Sequence, residues 1–413
     1  MNAAAQLSEE MRLLAESIAP EDPTPTVDLD NVRIPRITID VFKETDSFAE
    51  AWQHVVDDRR MITTTTNVYE GGFPGAVKHY TTERTPDLII VETDADEAVL
   101  SIEADLLAEV CDPNTRLIVV GHRNDINLYR KLIALGVSSY LVFPVTVTSV
   151  IGAISEIYRE PGQEKIGTIT AVIGAKGGVG ASTVAQNLAL GIAGLAPTDV
   201  LLIDTDLVFG TSALNLDIEP NQGLRELIDQ HDRVDTAMLD RVLIKRGLNL
   251  NVLVGAPSLE SDRVLDEDSM AAILDVASMH IPHIVLDMPQ AWNEATRRAL
   301  TIADRVYIVA TPELGCLKNA AALYNQLKSM RPNDQLPGLV LNQIGLPRRQ
   351  EITTKEVAKI LKIEPAAAIP FDAKSMNRAT ASGKMVCECA GRKPIGKAIT
   401  SLANQVCPPV DRK

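Results

Sequence analysis

Three glycines at 177, 178 and 180 stand just before a pair of hydroxyls, Ser182 and Thr183, in the run GAKGGVGASTVAQNLAL at 174–190. An apolar segment ends at Ile173 ahead of them and a helical pattern follows. A glycine-rich turn from a buried strand into a helix lets backbone N–H groups converge on an anion with no side chain in the way. The first helical turn adds unpaired N–H groups and the positive end of its dipole. The chemistry this arrangement suits is phosphate binding. The usual phosphate-loop pattern, G-x-x-x-x-G-K-[S/T], is met only in part. Ala175 stands at its first glycine and Ala181 at its lysine, while Ser182 keeps the hydroxyl that ligates Mg²⁺. Lys176 and Val179 complete the turn.

Two sets of carboxylates are placed to work with such a loop. Asp204 and Asp206 close the apolar run VLLID (200–204), and Asp287 closes HIVLD (283–287). Ligands of parallel sheets bind outside the carboxyl ends of the strands, so acids at those ends face bound phosphate and its metal. Asp287 then reads as a Mg²⁺ ligand acting through water. A D-x-D at a strand end serves equally well as a helix cap or a turn, and both readings of Asp206 stay open on spacing alone.

The elements needed to position these groups are legible along the chain. Residues 1–35 begin with Leu7, Met11, Leu14 and Ile18 at helical spacing, then turn proline-rich and acidic, the pattern of an extended tether. Residues 36–160 alternate strand segments (36–42, 61–68, 87–93, 116–122, 138–144) with amphipathic ones, as in a small doubly wound parallel sheet. A polar break at 158–167 separates this domain from a second α/β domain over 161–413. The strands of the second domain (168–174, 200–204, 283–287, 305–311, 338–342) are apolar throughout, as strands buried on both faces are.

KGGVGAST resembles the deviant Walker A loop of the MinD/ParA group of P-loop ATPases. The resemblance spans about 166–390 and implies ATP and Mg²⁺ as cofactors, with Lys176 reaching across an ATP-dependent homodimer to the partner's nucleotide. It implies that Gly177, Gly178, Val179, Gly180, Ala181, Ser182 and Thr183 cradle phosphate. It further implies that Ser182, Asp206 and Asp287 serve the metal, and that Asp206 orients the attacking water. Asn342, in VLNQIG, and Pro370 and Phe371, in IPFD, would surround the base, with Ala379 and Gly383 nearby. The absent lysine, together with the first domain, resembles the TadZ/CpaE pilus-assembly branch. That implies a cytoplasmic localisation factor for a Tad/Flp-type pilus secretion machine, polar or peripheral at the inner membrane, with pilus proteins as partners. The alternatives are a DNA-partitioning ATPase and a receiver-gated signalling ATPase. A lost lysine–phosphate contact, worth roughly 1.5–3 kcal/mol, implies retained binding with slow or absent hydrolysis.

Composition narrows the classes further. The net charge is −15, so no nucleic acid partner is expected, since phosphate-backbone binders present basic surface. Five scattered cysteines read as reduced thiols. The first domain resembles a response-regulator receiver whose phosphorylation chemistry is missing. Asp40 stands alone where paired acids are needed, Glu92 occupies the acceptor position, and Phe143 precedes Pro144 where a lysine is expected. The amphipathic segment at 395–406 is expected to close the fold rather than bind a membrane.

Overall fold

The computed structural model describes residue 32 and residues 34–158, 167–195, 197–247, 249–256 and 265–408. The expected helix and tether of residues 1–35 lie almost wholly outside the described residues. The chain divides into two compact units between residues 164 and 165.

The first unit is a five-stranded, all-parallel sheet in the order β2-β1-β3-β4-β5, the flavodoxin-like doubly wound arrangement. Its strands are β1 (Thr38–Lys43), β2 (Thr65–Glu70), β3 (Leu88–Thr93), β4 (Arg116–Gly121) and β5 (Ser139–Val142). Strand period two splits their apolar residues between the faces. Ile39, Val41, Leu88 and Ile90 join one core, with Phe48 and Trp52 of α1 (Asp46–Val56) and Ile151 and Ile154 of α5 (Val147–Ile157). Phe42, Ile89 and Val91 join the other, with Phe73 of α2 (Gly72–Tyr80), Leu100 and Leu107 of α3 (Glu97–Val110), and Leu132 of α4 (Ile126–Ala134). The first core also takes in Ile34. The segment expected as a strand at 61–68 starts later. Met61 ends a 3₁₀ turn at Arg59–Met61 and drops into the core, and β2 follows as a largely exposed edge strand.

The second unit carries an eight-stranded sheet in the order β13-β12-β11-β6-β10-β7-β9-β8, parallel except for the β8–β9 pair. The five apolar runs appear as β6 (Thr168–Gly174), β7 (Val200–Asp204), β10 (His283–Asp287), β11 (Arg305–Ala310) and β12 (Gly338–Ile344). Three strands were not anticipated: β8 (Ile244–Arg246), β9 (Leu250–Leu253) and β13 (Ala367–Pro370). β6 lies at the centre, where the chain order reverses, and feeds α6 (Ala181–Leu195). A crevice at such a reversal is where open α/β sheets bind ligands.

Helix α6 is held from behind by the last described helix, Pro394–Val406. A Cβ on Gly191 would stand 3.1 Å from the Ala403 Cβ, so glycine permits the approach. Ile395, Ile399, Leu402, Ala403 and Val406 are buried in the same core. The apolar face of this segment is therefore spent on packing. No helix among the described residues is long and apolar enough to cross a membrane.

Candidate nucleotide site

The phosphate loop occupies residues 175–180, between β6 and α6. Its shape requires glycine at two positions. Gly178 has φ +78° and Gly180 φ +84°, in the left-handed region that side chains rarely adopt. A Cβ on Gly180 would also stand 2.6 Å from Asn342 Nδ2. Three side chains from neighbouring elements hold the loop by its carbonyls. Asn342 Nδ2 donates to Val179 O at 2.8 Å, Gln343 Nε2 to Gly178 O at 3.0 Å, and Asn319 Nδ2 to Ala175 O at 3.1 Å. With the carbonyls tied back, the N–H groups at the start of α6 remain for a ligand, as at any uncapped helix N-terminus. Lys176, Gly177 and Gly178 are exposed, while Ala181, Ser182 and Thr183 are half-buried in the first helical turn.

Asp204 and Asp287 face each other in register at the carboxyl ends of adjacent strands. Both are buried, at 4% and 3% exposure. Burial pushes the Asp204 carboxyl up, against hydrogen bonds from Ser212 and the Asp206 N–H, and the charge of Asp206 pushes the same way as burial. Asp287 lies well above the ordinary carboxylate range. Burial is the main cause, the Asp204 charge adds to it, and a hydrogen bond from the Ser182 hydroxyl works the other way. Asp287 Oδ1 has no hydrogen-bond partner. A buried carboxylate oxygen left unpartnered beside a serine hydroxyl is a donor set suited to a hard divalent cation. Asp206 is half-buried, and its Oδ1 accepts from the Val208 N–H at 3.1 Å and the Phe209 N–H at 2.8 Å. One oxygen of this carboxylate is thus committed to its turn.

A cavity of about 280 Å³ opens beside the loop, lined in part by Gly180, Thr183, Asn342, Pro370 and Phe371. It brings the expected base-binding residues together. Ala379 and Gly383 do not line it; Met376 and Val386 do, and Gly383 instead lies against Asp217.

Residues 167–337 match a family model described as an AAA domain. The septum site-determining protein MinD of Thermotoga maritima is 26% identical over 254 residues, 58% of this chain and 88% of that protein. The crystal structure of a ParA family ATPase from Chlorobium tepidum TLS aligns with a TM-score of 0.53 at 24% identity, over 57% of this chain and 98% of that one. The second unit has the MinD/ParA P-loop fold. A crystal structure of the pilus assembly protein CpaE from Caulobacter crescentus CB15 is 42% identical over 31% of this chain and 98% of that chain, with a TM-score of 0.31.

Within this MinD/ParA-type unit the charges are unbalanced. Asp204, Asp206 and Asp287 gather at the carboxyl ends of β7 and β10, and the loop position that would bring a lysine holds Ala181. The residues that brace the loop, Asn319 and Gln343, carry no motif signal. Only their place, at a strand end and one turn into a helix, could have pointed to them. Gln343 adopts φ +57°, an unusual conformation for its type, and so places its amide against Gly178.

In the first unit Glu92, at the position expected for a phosphoacceptor, is fully buried and committed. Its Oε2 accepts from the Glu44 and Thr45 N–H groups at 2.7 and 2.8 Å, and its Oε1 from the Thr45 hydroxyl. The carboxylate thereby anchors the loop that enters α1, whose N-terminus also favours a negative charge. Incubation with a small phosphodonor is expected to add no phosphoryl mass to this unit. Glu92→Gln, which removes the charge and puts an NH₂ donor in place of one accepting oxygen, is expected to cost about 1–3 kcal/mol of stability in denaturant unfolding. A stable phospho-adduct lost in the Glu92→Gln protein would reverse this assignment.

Proposed function

We propose that the chain is an ATP-dependent dimerising switch that binds Mg·ATP tightly enough to respond to it while hydrolysing it slowly or not at all. The observation that carries this reading is the pairing of an intact backbone cradle with a buried, unpartnered Asp287 oxygen and an alanine, not a lysine, at 181. The N–H groups of residues 177–183 would take the phosphates, the cavity at Asn342, Pro370 and Phe371 the base, and Ser182 and Asp287 the Mg²⁺. Bound Mg²⁺ would supply neutralisation of phosphate charge. Asp206 would accept a hydrogen bond from the attacking water through the oxygen its turn leaves over. Lys176, exposed on the loop, would serve the partner's nucleotide across a homodimer.

The cellular role is the localisation or assembly of a Tad/Flp-type pilus secretion machine, with pilus proteins as partners. Its support is the resemblance of a loop with Ala181 in place of the usual lysine, joined to a receiver-like first unit in one chain. The committed hydrogen bonds of Glu92 speak against a phosphorylation-gated alternative. Sedimentation with ATP, with ADP and without nucleotide, alongside phosphate release, tests the switch. Dimer formation with ATP at a low turnover supports it. A chain that binds no nucleotide at millimolar Mg·ATP sinks it.

A further inference from the structure

The turn that carries Asp206 is joined to the rest of its unit at few points. Within residues 206–210, Asp206 Oδ1 accepts from the Val208 and Phe209 N–H groups, and Asp206 O from the Gly210 N–H at 3.0 Å. On either side of them, the Asp206 and Ser212 N–H groups donate to the two oxygens of Asp204, at 3.1 Å each. Of residues 206–211 only Leu207 is buried, and Phe209 is 73% exposed. Among the described residues one side chain from outside donates to residues 206–210. It is Arg225, whose Nη2 reaches Leu207 O at 2.7 Å.

Arg225 belongs to the helix Gly223–Asp229 and is 7% exposed. Its Nε donates to Ala256 O at 2.9 Å, just after β9. The guanidinium therefore bridges the segments that follow β7 and β9, which are neighbours in the sheet. Gly255 makes room for it, since a Cβ there would stand 3.0 Å from Leu207 Cδ2 and 3.5 Å from Arg225 Cγ. Both acceptors are carbonyls, no carboxylate pairs with Arg225 among the described residues, and Nη1 is buried with no partner. A guanidinium does not lose its charge, and burying one without a counter-ion and with an unused donor is unfavourable. An apolar side chain of similar volume would fill the space without that penalty. What it could not supply is a rigid fork of donors joining two separate carbonyls.

We propose that Arg225 is a positioning residue. By holding Leu207 O it fixes the turn, and with it the Asp206 oxygen that the turn leaves over. The response to ATP then depends on a side chain that belongs to neither the phosphate cradle nor the metal set. That link to ATP rests on the function proposed above, whereas the hold on the turn does not.

Arg225→Met removes the fork at similar volume. Arg225→Lys keeps the charge but has one nitrogen for two carbonyls. Hydrogen exchange of the full chain without nucleotide, read at amides 208–210, tests the hold directly. In Arg225→Met these amides should exchange about tenfold faster than in wild type, the worth of one charge-assisted hydrogen bond, with β6 and β10 unchanged. Arg225→Lys should fall between the two, and it carries the comparison if Arg225→Met does not fold. Calorimetry should find Mg·ATP affinity within about threefold of wild type, because the cradle, Ser182 and Asp287 are intact. ATP-dependent dimer formation in sedimentation, and phosphate release, should fall about tenfold in Arg225→Met. A role in stability alone would lower the melting temperature and leave both measures unchanged wherever the variants are fully folded. Equal exchange at 208–210 in wild type and variants overturns the positioning role. Faster exchange with unaltered dimer formation and release overturns its link to ATP. A wild type that binds no Mg·ATP sinks the proposed switch instead, and the exchange result still decides the hold.

Discussion

Ala181→Lys is expected to tighten Mg·ATP binding about 10- to 150-fold, the equivalent of one charge-assisted hydrogen bond of roughly 1.5–3 kcal/mol. Ala181 is the first residue of α6 and half-buried, directly after the cradle. A cation added there meets phosphate when ATP is bound and lies near the three carboxylates when it is not. The second effect makes the substitution informative in the free protein as well. Part of what raises Asp204 and Asp287 is the negative charge around them, so a lysine should bring both down and raise the melting temperature. Turnover should rise more than affinity, because charge accumulates on the transferring group in the transition state. Calorimetric titration, a thermal melt and phosphate release read the three effects. An unchanged dissociation constant would mean that the loop does not grip phosphate.

Asp287→Asn is the complementary change, with opposite signs for stability and ligand. In the free chain Asp287 is buried beside Asp204, with no partner for one oxygen. Burial beside Asp204 raises its folded pKa well above the ordinary aspartate value, so between the two values the folded state holds a proton that the unfolded state has released. Stability therefore falls as pH rises from about 4 through the raised folded value, and the loss persists at neutral pH. Removing the charge should flatten that dependence and raise the neutral-pH melting temperature, by about 2–4 °C for each kcal/mol recovered. The same change should weaken Mg²⁺-dependent nucleotide binding about tenfold or more, since a charged oxygen ligand is lost. Melts between pH 5 and 8, with and without Mg·ATP, separate the two effects. A lower melting temperature in the free variant would show that the carboxylate is structural and leave the metal without its proposed anchor.

The pattern behind both experiments is a site whose acids are held at a cost in the free protein. Much of it was visible as sequence. The central strands are uninterrupted apolar runs because both faces are covered, and Gly178 and Gly180 stand where only their backbone freedom makes the turn. What could not be seen depends on contacts distant in sequence. β8 and β9 are three and four residues long, and β9 carries Asn251, which is buried although polar. Nothing in so short a run announces a strand until the sheet edge is there to pair with it. Met61 looked like the start of β2 and is instead a core residue of the preceding turn. The cavity beside the loop draws Met376 and Val386 from helices after β13, where an inserted residue shifts the pattern and spacing is a poor guide.

The packing of Pro394–Val406 against α6 also bears on the order in which the molecule is made. The segment that cradles phosphate leaves the ribosome among the first parts of its unit, yet the surface that braces it is translated some two hundred codons later. Until then the side of α6 at Gly191 is uncovered, and the helix that begins at the end of the glycine turn lacks that part of its packing.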